Sequence, residues 1–294
     1  MSELKIKAPK TPEEFRAIET IQKSAWGMSD IEIVPYRIII AISKAGGCVY
    51  IAYDNNKPVG FVLGFIALDP KTGQVYMHSH QVGVVREYWN KGIAYRLKVK
   101  QREDALARNI ALIRWTFDPL LSRNAYLNFS KLGVVNNTYF INLYGEMRDM
   151  INRGLPSDRF YVEWWIKSNH VKKRLSGERP PLDITFLLNN LSIVNITRKK
   201  NNLREIVDYD LSMKDKILLV EIPYDITLIK KRDMMLAFAW RNATREIFTA
   251  LFSKGYIATD FMVGEIDSEK RSFYILIRDE KQKLLREPWW SFLA

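Results

Sequence analysis

The chain has 294 residues, 47% of them hydrophobic, with one cysteine and a formal net charge of +12 at pH 7. This length and apolar content suffice for one large or two modest globular domains, and a single cysteine excludes an internal disulfide and a cysteine-based metal cluster. The excess positive charge favours acidic partners such as phosphates, carboxylates or nucleic acid, although a solvated basic surface accounts for most of it.

Two stretches bear on where the protein works. The first seven residues contain no apolar run of the kind found in secretion signals, and the longest apolar run, 59–68, is too short to cross a bilayer. We therefore expect a cytoplasmic protein with no membrane partner.

The residues before position 73 predict two helices and two strands. Thr11, Pro12 and the acids Glu13 and Glu14 are typical of a helix start, because a capping hydroxyl, a proline and early acids suit a helix N-terminus. A second helix is predicted over 35–44, ending at a Gly-Gly pair. Strands are predicted over 48–53 and 59–68, joined by a hairpin turn at 54–57.

Residues 73–98 combine a strand, a basic and aromatic turn, and the start of a helix. Side chains alternate along a strand, so His78, His80, Val82 and Val84 are expected on one face. Gly83 between them predicts either a bulge or a close approach of another group to the backbone.

The turn after this strand leads to a helix that begins at Gly92. Unpaired N–H groups and the helix dipole meet at such a start, which makes it an anion site suited to a diphosphate. The segment resembles the acyl-CoA-binding signature Arg/Gln-x-x-Gly-x-Gly/Ala of the GNAT superfamily of N-acyltransferases, with a tryptophan at its first position. The resemblance implies acetyl-CoA or another acyl-CoA as co-substrate, bound by Val82, Val84, Trp89, Asn90, Lys91, Gly92, Ile93, Ala94 and Tyr95.

The His-x-His pair is the second point of resemblance. It lies at the same distance before the glycine as the paired histidines of the arylalkylamine N-acetyltransferases, which accept protons. The resemblance implies that His80 is the catalytic base and that His78 relays the proton. The alternative is two ordinary half-buried strand histidines. A metal site is not expected, because no further ligands lie near the pair in sequence.

Residues 110–166 predict the closing elements of the same sheet. A strand over 110–117, a helix over 122–132 and strands over 138–144 and 158–166 follow in order. In the GNAT family this helix carries a tyrosine that protonates the departing thiolate, and Phe129 stands at its position here. Tyr126, one turn earlier, is the expected substitute, and Asn124 is the expected pantetheine contact.

Motifs at 115–120 and 158–164 resemble a GNAT-like branch of bacteria and archaea, some of whose members are linked to N-acylation of amino acids. An amino acid carries a carboxylate, which a guanidinium binds with two hydrogen bonds. Arg159 is the candidate for this contact, and Asp118 is a second substrate-binding candidate. The alternatives are a structural ion pair between Arg159 and Asp158 and a turn-forming role for Asp118.

The composition of the chain suggests two domains. Residues 1–170 are predicted to be a GNAT acyl-CoA-binding domain and 171–294 a C-terminal α+β domain, for which a degenerate GNAT-like half is an alternative. The basic segment 170–200, with Pro-Pro at 180–181, predicts a linker. After it come a predicted strand over 216–223, a helix over 233–253 and a hairpin with strands 256–265 and 272–277. The aromatic tail 287–292 must be covered by its own chain or by a partner.

The predicted fold class is α/β, a GNAT-like mixed, mostly antiparallel sheet flanked by helices, followed by a smaller α+β C-terminal domain. The expected activity is acyl-CoA-dependent N-acyl transfer to a small amine or amino acid by direct attack on the thioester. A protein N-acetyltransferase and a non-catalytic CoA- or RNA-binding module are the alternatives. Nucleic acid is not the expected partner, and the sequence leaves a monomer and a homodimer open.

Overall fold

The computed structural model describes residues 4–292 and separates into two compact units. Residues up to Trp115, together with Arg148–Arg153, form the first unit. Thr116–Met147 and the residues from Gly154 onwards form the second. The boundary expected at residue 170 stays a prediction.

The first unit contains three helices and most of one sheet. Its elements in chain order are β1 (Lys5–Lys7), α1 (Pro12–Trp26), α2 (Tyr36–Lys44), β2 (Cys48–Asp54), β3 (Lys57–Leu68), β4 (Val75–Val84), a 3-10 turn (Arg86–Tyr88), α3 (Ile93–Ala107) and β5 (Leu112–Phe117), the strand in which the chain passes to the second unit. These elements confirm the predicted helices and strands of this region.

The sheet of the first unit has the order β1-β2-β3-β4-β5. Its first three pairings are antiparallel and only β4 with β5 is parallel. Helices α1 and α3 both pack on β3 and β4, and the apolar core between helices and sheet includes Ile18, Phe61, Val62 and Leu97, all fully buried. A mixed, mostly antiparallel sheet flanked by helices is therefore confirmed.

Local sequence signals explain how these elements begin and turn. The Thr11 hydroxyl accepts a hydrogen bond from the Glu14 N–H at 3.4 Å while the Glu14 carboxylate accepts from the Thr11 N–H, which is a capping box. The hairpin between β2 and β3 turns through Asn55 and Asn56, both in the left-handed region that asparagine tolerates.

The histidine strand β4 contains an irregularity that the sequence pattern did not predict. Ser79 and Gln81 pair with consecutive residues of β3, which leaves His80 as the extra residue of a bulge. The prediction that residues 78, 80, 82 and 84 share one uninterrupted face is therefore wrong, because the bulge shifts the alternation of side chains by one position.

Gly83 allows a close approach of other side chains to the backbone, which is the second of the two roles predicted for it. The bulge lies three residues before it, and Gly83 itself pairs regularly with Phe61. A Cβ at Gly83 would lie 2.7 Å from Phe61 Cε1 and 2.9 Å from the Trp26 ring, so only glycine allows these aromatic side chains to pack against the strand.

The second unit contains the remaining elements. They are α4 (Ser122–Ala125), continued by a π-helix (Tyr126–Leu132), β6 (Tyr139–Phe140), β7 (Arg159–Trp165), α5 (Asn169–Leu175), α6 (Ile184–Asn190), β8 (Ser192–Ile193), β9 (Asn195–Lys200), β10 (Leu203–Tyr209), β11 (Ile217–Ile222), α7 (Ile226–Arg232), α8 (Met234–Ser253), β12 (Tyr256–Ile266), β13 (Glu269–Arg278), α9 (Lys281–Arg286) and a 3-10 turn (Trp289–Phe292). Strands β6 and β7 pair antiparallel, β9 and β10 form a ribbon, and a four-stranded sheet has the order β12-β13-β11-β8.

Two predictions for the second unit are wrong. The strand expected over 138–144 has only the two residues of β6, because Asn142 turns into the left-handed region and its backbone N–H binds the Asp158 carboxylate at 3.0 Å instead of a neighbouring strand. The linker expected over 170–200 is mostly α5, α6 and β9. It is anchored by His170 and Arg174, which are 1% and 5% exposed, so its basic composition does not mark a mobile segment.

The two tryptophans of the aromatic tail are covered by their own chain. Trp289 and Trp290 are 1% and 5% exposed, and the Trp289 indole donates a hydrogen bond to the buried Asp260 carboxylate at 3.0 Å. Within residues 4–292, none of the helices has the length and apolar character needed to cross a bilayer.

Candidate functional site

Two imidazoles and one phenyl ring form a cluster on β3 and β4. The rings of His78 and His80 have centroids 6.2 Å apart. Phe65, the partner of His78 across the two strands, stacks on it with centroids 5.0 Å apart and planes inclined by 28°, and its ring lies 5.9 Å from that of His80. The structure thus brings the predicted catalytic pair together, with an aromatic neighbour that the sequence reasoning did not single out.

The surroundings of the pair keep both imidazoles neutral at neutral pH. Removal from water, followed by the nearby His80 and Lys98, lowers the pKa of His78 to about 4. Desolvation also lowers the pKa of His80, although the bulge leaves part of this side chain exposed. A neutral imidazole with an exposed side is a competent proton acceptor, which suits His80 for the role of base.

A buried lysine of helix α3 contacts the residue between the two histidines of β4. Lys98 of α3 is 2% exposed, and its ammonium donates to the hydroxyl of Ser79 and to the Oε1 of Gln101, each at 2.9 Å. It also lies 3.4 Å from the centroid of the Trp115 ring. Burial lowers its pKa well below the usual value. The sequence signal for this cluster is that Lys98 and Gln101 lie at helical spacing from Ala105, on the face of α3 that is buried.

The turn after β4 is held by a side-chain hydrogen bond and contains two left-handed residues. The Trp89 indole N–H donates to the Val84 carbonyl at 2.7 Å, which fastens the turn to the end of the strand. Asn90 and Gly92 both adopt left-handed conformations, with φ of 62° and 75°. This tryptophan therefore uses its one side-chain donor within the protein.

The start of α3 fits a diphosphate group. The helix has no side-chain cap, so the first N–H groups after Gly92 have no partner within their own helix. A Cβ on Gly92 would meet no atom of residues 4–292 within 4 Å, so the space in the Cβ direction of this glycine is open. The side chains of Ile93 and Ala94 turn inward, Tyr95 is half-buried, and Lys91 is exposed. Open space and unpaired donors are what a phosphate-binding helix start requires.

The predicted proton donor belongs to the second unit. Tyr126 is 39% exposed at the first residue of the π-helix, with the Lys131 ammonium 5.4 Å from its ring centroid. Asn124, two residues earlier, is exposed. Phe129 is fully buried against Tyr274 and Phe117, with centroids 5.5 and 6.2 Å away. The phenyl group at the family's tyrosine position is thus part of the core of this unit.

The two substrate candidates of the second unit are neighbours. An oxygen of Asp118 lies 3.7 Å from Nη1 of Arg159, which also donates to the Asp158 backbone carbonyl at 2.9 Å. The Asp158 carboxylate instead accepts two hydrogen bonds from Arg245, at 2.8 and 2.9 Å. The expected ion pair of Asp158 is therefore made with Arg245, and the side chain of Arg159 is directed towards Asp118.

A third arginine completes this cluster and was missed by the sequence reasoning. Arg241 of α8 is fully buried and donates through Nη2 to the Asp118 carboxylate. Its Nε and Nη1 have no hydrogen-bond partner among the described residues. A sequence signal was available: Arg241 lies at helical spacing from Ala237 and Thr244, on the face of α8 that is buried. The Asp118 carboxylate thus pairs with two guanidinium groups, and the Arg241 guanidinium has two donors that make no hydrogen bond within residues 4–292.

The described residues contain no group of three or more His, Cys, Asp or Glu side chains arranged to hold a metal ion.

Comparisons with known proteins show a similarity in the first part of the chain. Residues 14–129 match the family model described as "Acetyltransferase (GNAT) family". No protein among the curated sequences matches the chain.

Three solved structures illustrate the similarity. The ribosomal-protein-S18-alanine N-acetyltransferase from Escherichia coli is 15% identical, with 56% of this chain and 94% of that one covered at a TM-score of 0.44. An N-acetyltransferase from Staphylococcus aureus Mu50 is 18% identical, with 56% and 100% covered and a TM-score of 0.44. The acetyltransferase yncA from Salmonella typhimurium, solved with acetyl-CoA, is 12% identical, with 56% and 94% covered and a TM-score of 0.45. Such identities are too low to transfer a substrate.

Proposed function

We propose that the chain transfers an acyl group from acetyl-CoA or another acyl-CoA to a small amine or amino acid, starting from the match of residues 14–129 to the GNAT acetyltransferase family model. The observation that carries the proposal is the course of β4. It holds two neutral imidazoles and then enters a turn that presents an uncapped helix start beside open space at Gly92.

The first requirement of the reaction is removal of a proton from the acceptor. An amine with a pKa near 10.4 arrives as an ammonium ion, and its deprotonation at pH 7 costs about 4.6 kcal/mol. In this proposal His80 takes that proton, directly or through water, and His78 relays it. Both imidazoles are unprotonated at neutral pH because desolvation lowers their pKa values, so each has a free lone pair.

The acyl group then passes from the thioester sulfur to the amine nitrogen. The amine nitrogen forms a bond to the thioester carbonyl carbon, the carbon–sulfur bond breaks, and the thiolate leaves with its electron pair. The thiolate takes a proton from Tyr126, the attacking nitrogen gives its second proton to water, and water returns a proton to the tyrosinate. The net reaction therefore releases only the proton of the ammonium ion. A backbone N–H near Val82–Val84 stabilises the tetrahedral oxyanion in this scheme. The N–H groups after Gly92 bind the diphosphate.

The choice of an acceptor with a carboxylate rests on the arginine cluster of the second unit. Arg159 and Arg241 share Asp118, and two buried donors of Arg241 have no hydrogen-bond partner within residues 4–292. A buried donor without a partner costs about 1–3 kcal/mol, and an anion supplied by the acceptor would remove that cost. Asp118 holds the guanidinium groups in place in this arrangement.

The decisive experiment measures CoA release with a panel of amino acids and their decarboxylated amines. We expect thioester consumption with the amino acids, and a decrease of about 100-fold or more in the His80→Gln variant. CoA binding without turnover of any amine would contradict the proposal and favour a non-catalytic CoA-binding module. Turnover only on proteins would move the acceptor to a polypeptide.

A second arm of this experiment tests the carboxylate contact. Arg159→Lys keeps the charge but loses the planar fork, so it should raise KM for amino acids and spare the decarboxylated amines. Arg198→Lys, at an exposed ion pair with Glu205, is the control. Equal effects of Arg159→Lys on both acceptor classes would exclude this assignment. The proposal also includes a cytoplasmic location, which cell fractionation tests.

A further inference from the structure

Two lysine side chains converge on one aromatic ring beside the turn. The ammonium groups of Lys91 and Lys57 lie 4.4 and 5.9 Å from the centroid of the Tyr88 ring. Lys91 is in the turn itself, whereas Lys57 is the first residue of β3, so two separate elements supply the charges. Both lysines are exposed and Tyr88 is half-buried. We call these three residues the Tyr88 cluster.

The ring that carries the two ammonium groups is held in position. The Tyr88 hydroxyl donates to the Asp54 carboxylate at 2.9 Å, and residue 54 pairs with Lys57 across the hairpin of β2 and β3. The negative charge of Asp54 is thereby placed at the hydroxyl end of the ring, and the ammonium groups are held over the ring by cation–π attraction. Glu87 is the other acid adjacent to Tyr88 in the chain, and Arg86 offsets its charge.

The proposed mechanism gives the Lys57 ammonium group no role, and it uses Lys91 only as part of the acyl-CoA-binding turn. The diphosphate of CoA is assigned to backbone N–H groups and the dipole at the start of α3, which bind it without side chains. CoA carries one further phosphate, a monoester on the 3′ position of its ribose, connected to the diphosphate through a single sugar. An ammonium group binds such a monoester as a point charge, without demanding a particular orientation.

We propose that the Tyr88 cluster binds the ribose 3′-phosphate of CoA and makes the chain selective for CoA over dephospho-CoA. The inference rests on the proposed function, because it assumes that the diphosphate lies at Gly92. It adds the part of the donor that this chain recognises with side chains, and it assigns Lys57, which lies 34 residues before Lys91, to the donor site.

The test compares three ligands by calorimetry: CoA, dephospho-CoA and adenosine 3′,5′-bisphosphate, which carries the adenosine end of CoA without a thiol. We expect CoA to bind about 10- to 100-fold more tightly than dephospho-CoA, since a hydrogen bond to a charged group contributes about 1.5–3 kcal/mol, of which 1.4 kcal/mol is tenfold. Lys57→Gln and Lys91→Gln should each weaken CoA and the bisphosphate about tenfold, and should leave dephospho-CoA nearly unchanged.

Lys100→Gln is the matched control. Its ammonium lies 5.6 Å from the Tyr50 ring centroid, a similar cation–π pair in the same unit, so its removal should change no affinity. Equal binding of CoA and dephospho-CoA by the wild-type chain would overturn the subsite while the proposed function stands. Failure of both to bind would remove the proposed function as well. If Lys57→Gln lowered the affinities for CoA and dephospho-CoA to the same extent, the effect would be one of general charge and the inference would be overturned.

Discussion

The imidazole of His78 stacks on the phenyl ring of Phe65 with centroids 5.0 Å apart. The two residues face each other across β3 and β4, so the contact is set by strand register. One face of the imidazole is thereby withheld from water, which contributes to the desolvation that lowers the pKa of His78 to about 4. Phe65 is accordingly a positioning residue for the histidine pair.

Phe65→Ala should raise the pKa of His78 towards its ordinary value near 6.5, because water then reaches the ring. A base works only when unprotonated, so activity falls as the pH drops through its pKa, and the acidic limb of the rate profile should move to higher pH. Histidine NMR titration together with kcat/KM against pH measures both effects. Ile66→Ala, one residue later at a side chain that is 39% exposed, is the control. Coincident profiles for wild type and Phe65→Ala would contradict this role.

Gly92→Glu should abolish stabilisation of the fold by CoA. A ligand at a hundredfold excess over its dissociation constant stabilises a protein by about 2.7 kcal/mol, and the new carboxylate would occupy the space assigned to the diphosphate. Thermal unfolding with and without CoA measures the difference. Gly73→Glu is a close control, since Gly73 also has a left-handed φ, of 69°, and open space in the Cβ direction. A full CoA effect in Gly92→Glu would place the cofactor elsewhere.

Tyr126→Phe should lower kcat by about 100-fold if this hydroxyl protonates the thiolate. The double variant that also carries Phe129→Tyr should not recover activity, because position 129 is fully buried among aromatic rings and its new hydroxyl would remain in the core. Phe129→Tyr alone should cost about 1–3 kcal/mol of stability. Single-turnover CoA release separates the chemical step from binding. An unchanged single-turnover rate in Tyr126→Phe would assign the proton to water.

His170 should make the protein sensitive to acid. Burial, with a contribution from Arg174, lowers its pKa to about 3, and its Nε2 has no partner among the described residues. Between about pH 6.5 and pH 3 the imidazole is therefore protonated in the unfolded chain but not in the folded chain. The free energy of unfolding falls by about 1.4 kcal/mol for each pH unit within this range. At pH 5 the loss from this residue is about 2 kcal/mol.

His170→Gln removes this titration. Its urea-unfolding free energy should fall less between pH 7 and pH 5 than that of the wild type, by about 2 kcal/mol, even if the variant is less stable at pH 7. His78→Gln also removes a histidine with a lowered pKa, of about 4, so it should weaken the pH dependence as well, and only the double variant should lose both contributions. Parallel pH dependences for the wild type and His170→Gln would contradict the assignment.

The sequence by itself determined the features that depend on neighbouring residues. The capping box at Thr11, the Asn-Asn hairpin turn and the left-handed Gly92 are set by backbone preferences within a few positions. The strand, turn and helix that resemble the GNAT signature belong to the same class, because an anion site at a helix start is built from consecutive backbone groups.

The tertiary structure decided the features that depend on distant partners. The bulge at His80 follows from the register of β4 against β3, Lys98 is buried because α3 packs on the sheet, and Asp118 meets Arg241 across 123 positions of sequence. The basic segment 170–200 is ordered because Arg174 binds the buried Asp260 at 2.9 Å. Burial and pairing of charges depend on which elements pack together, and no local preference in a single sequence encodes those contacts.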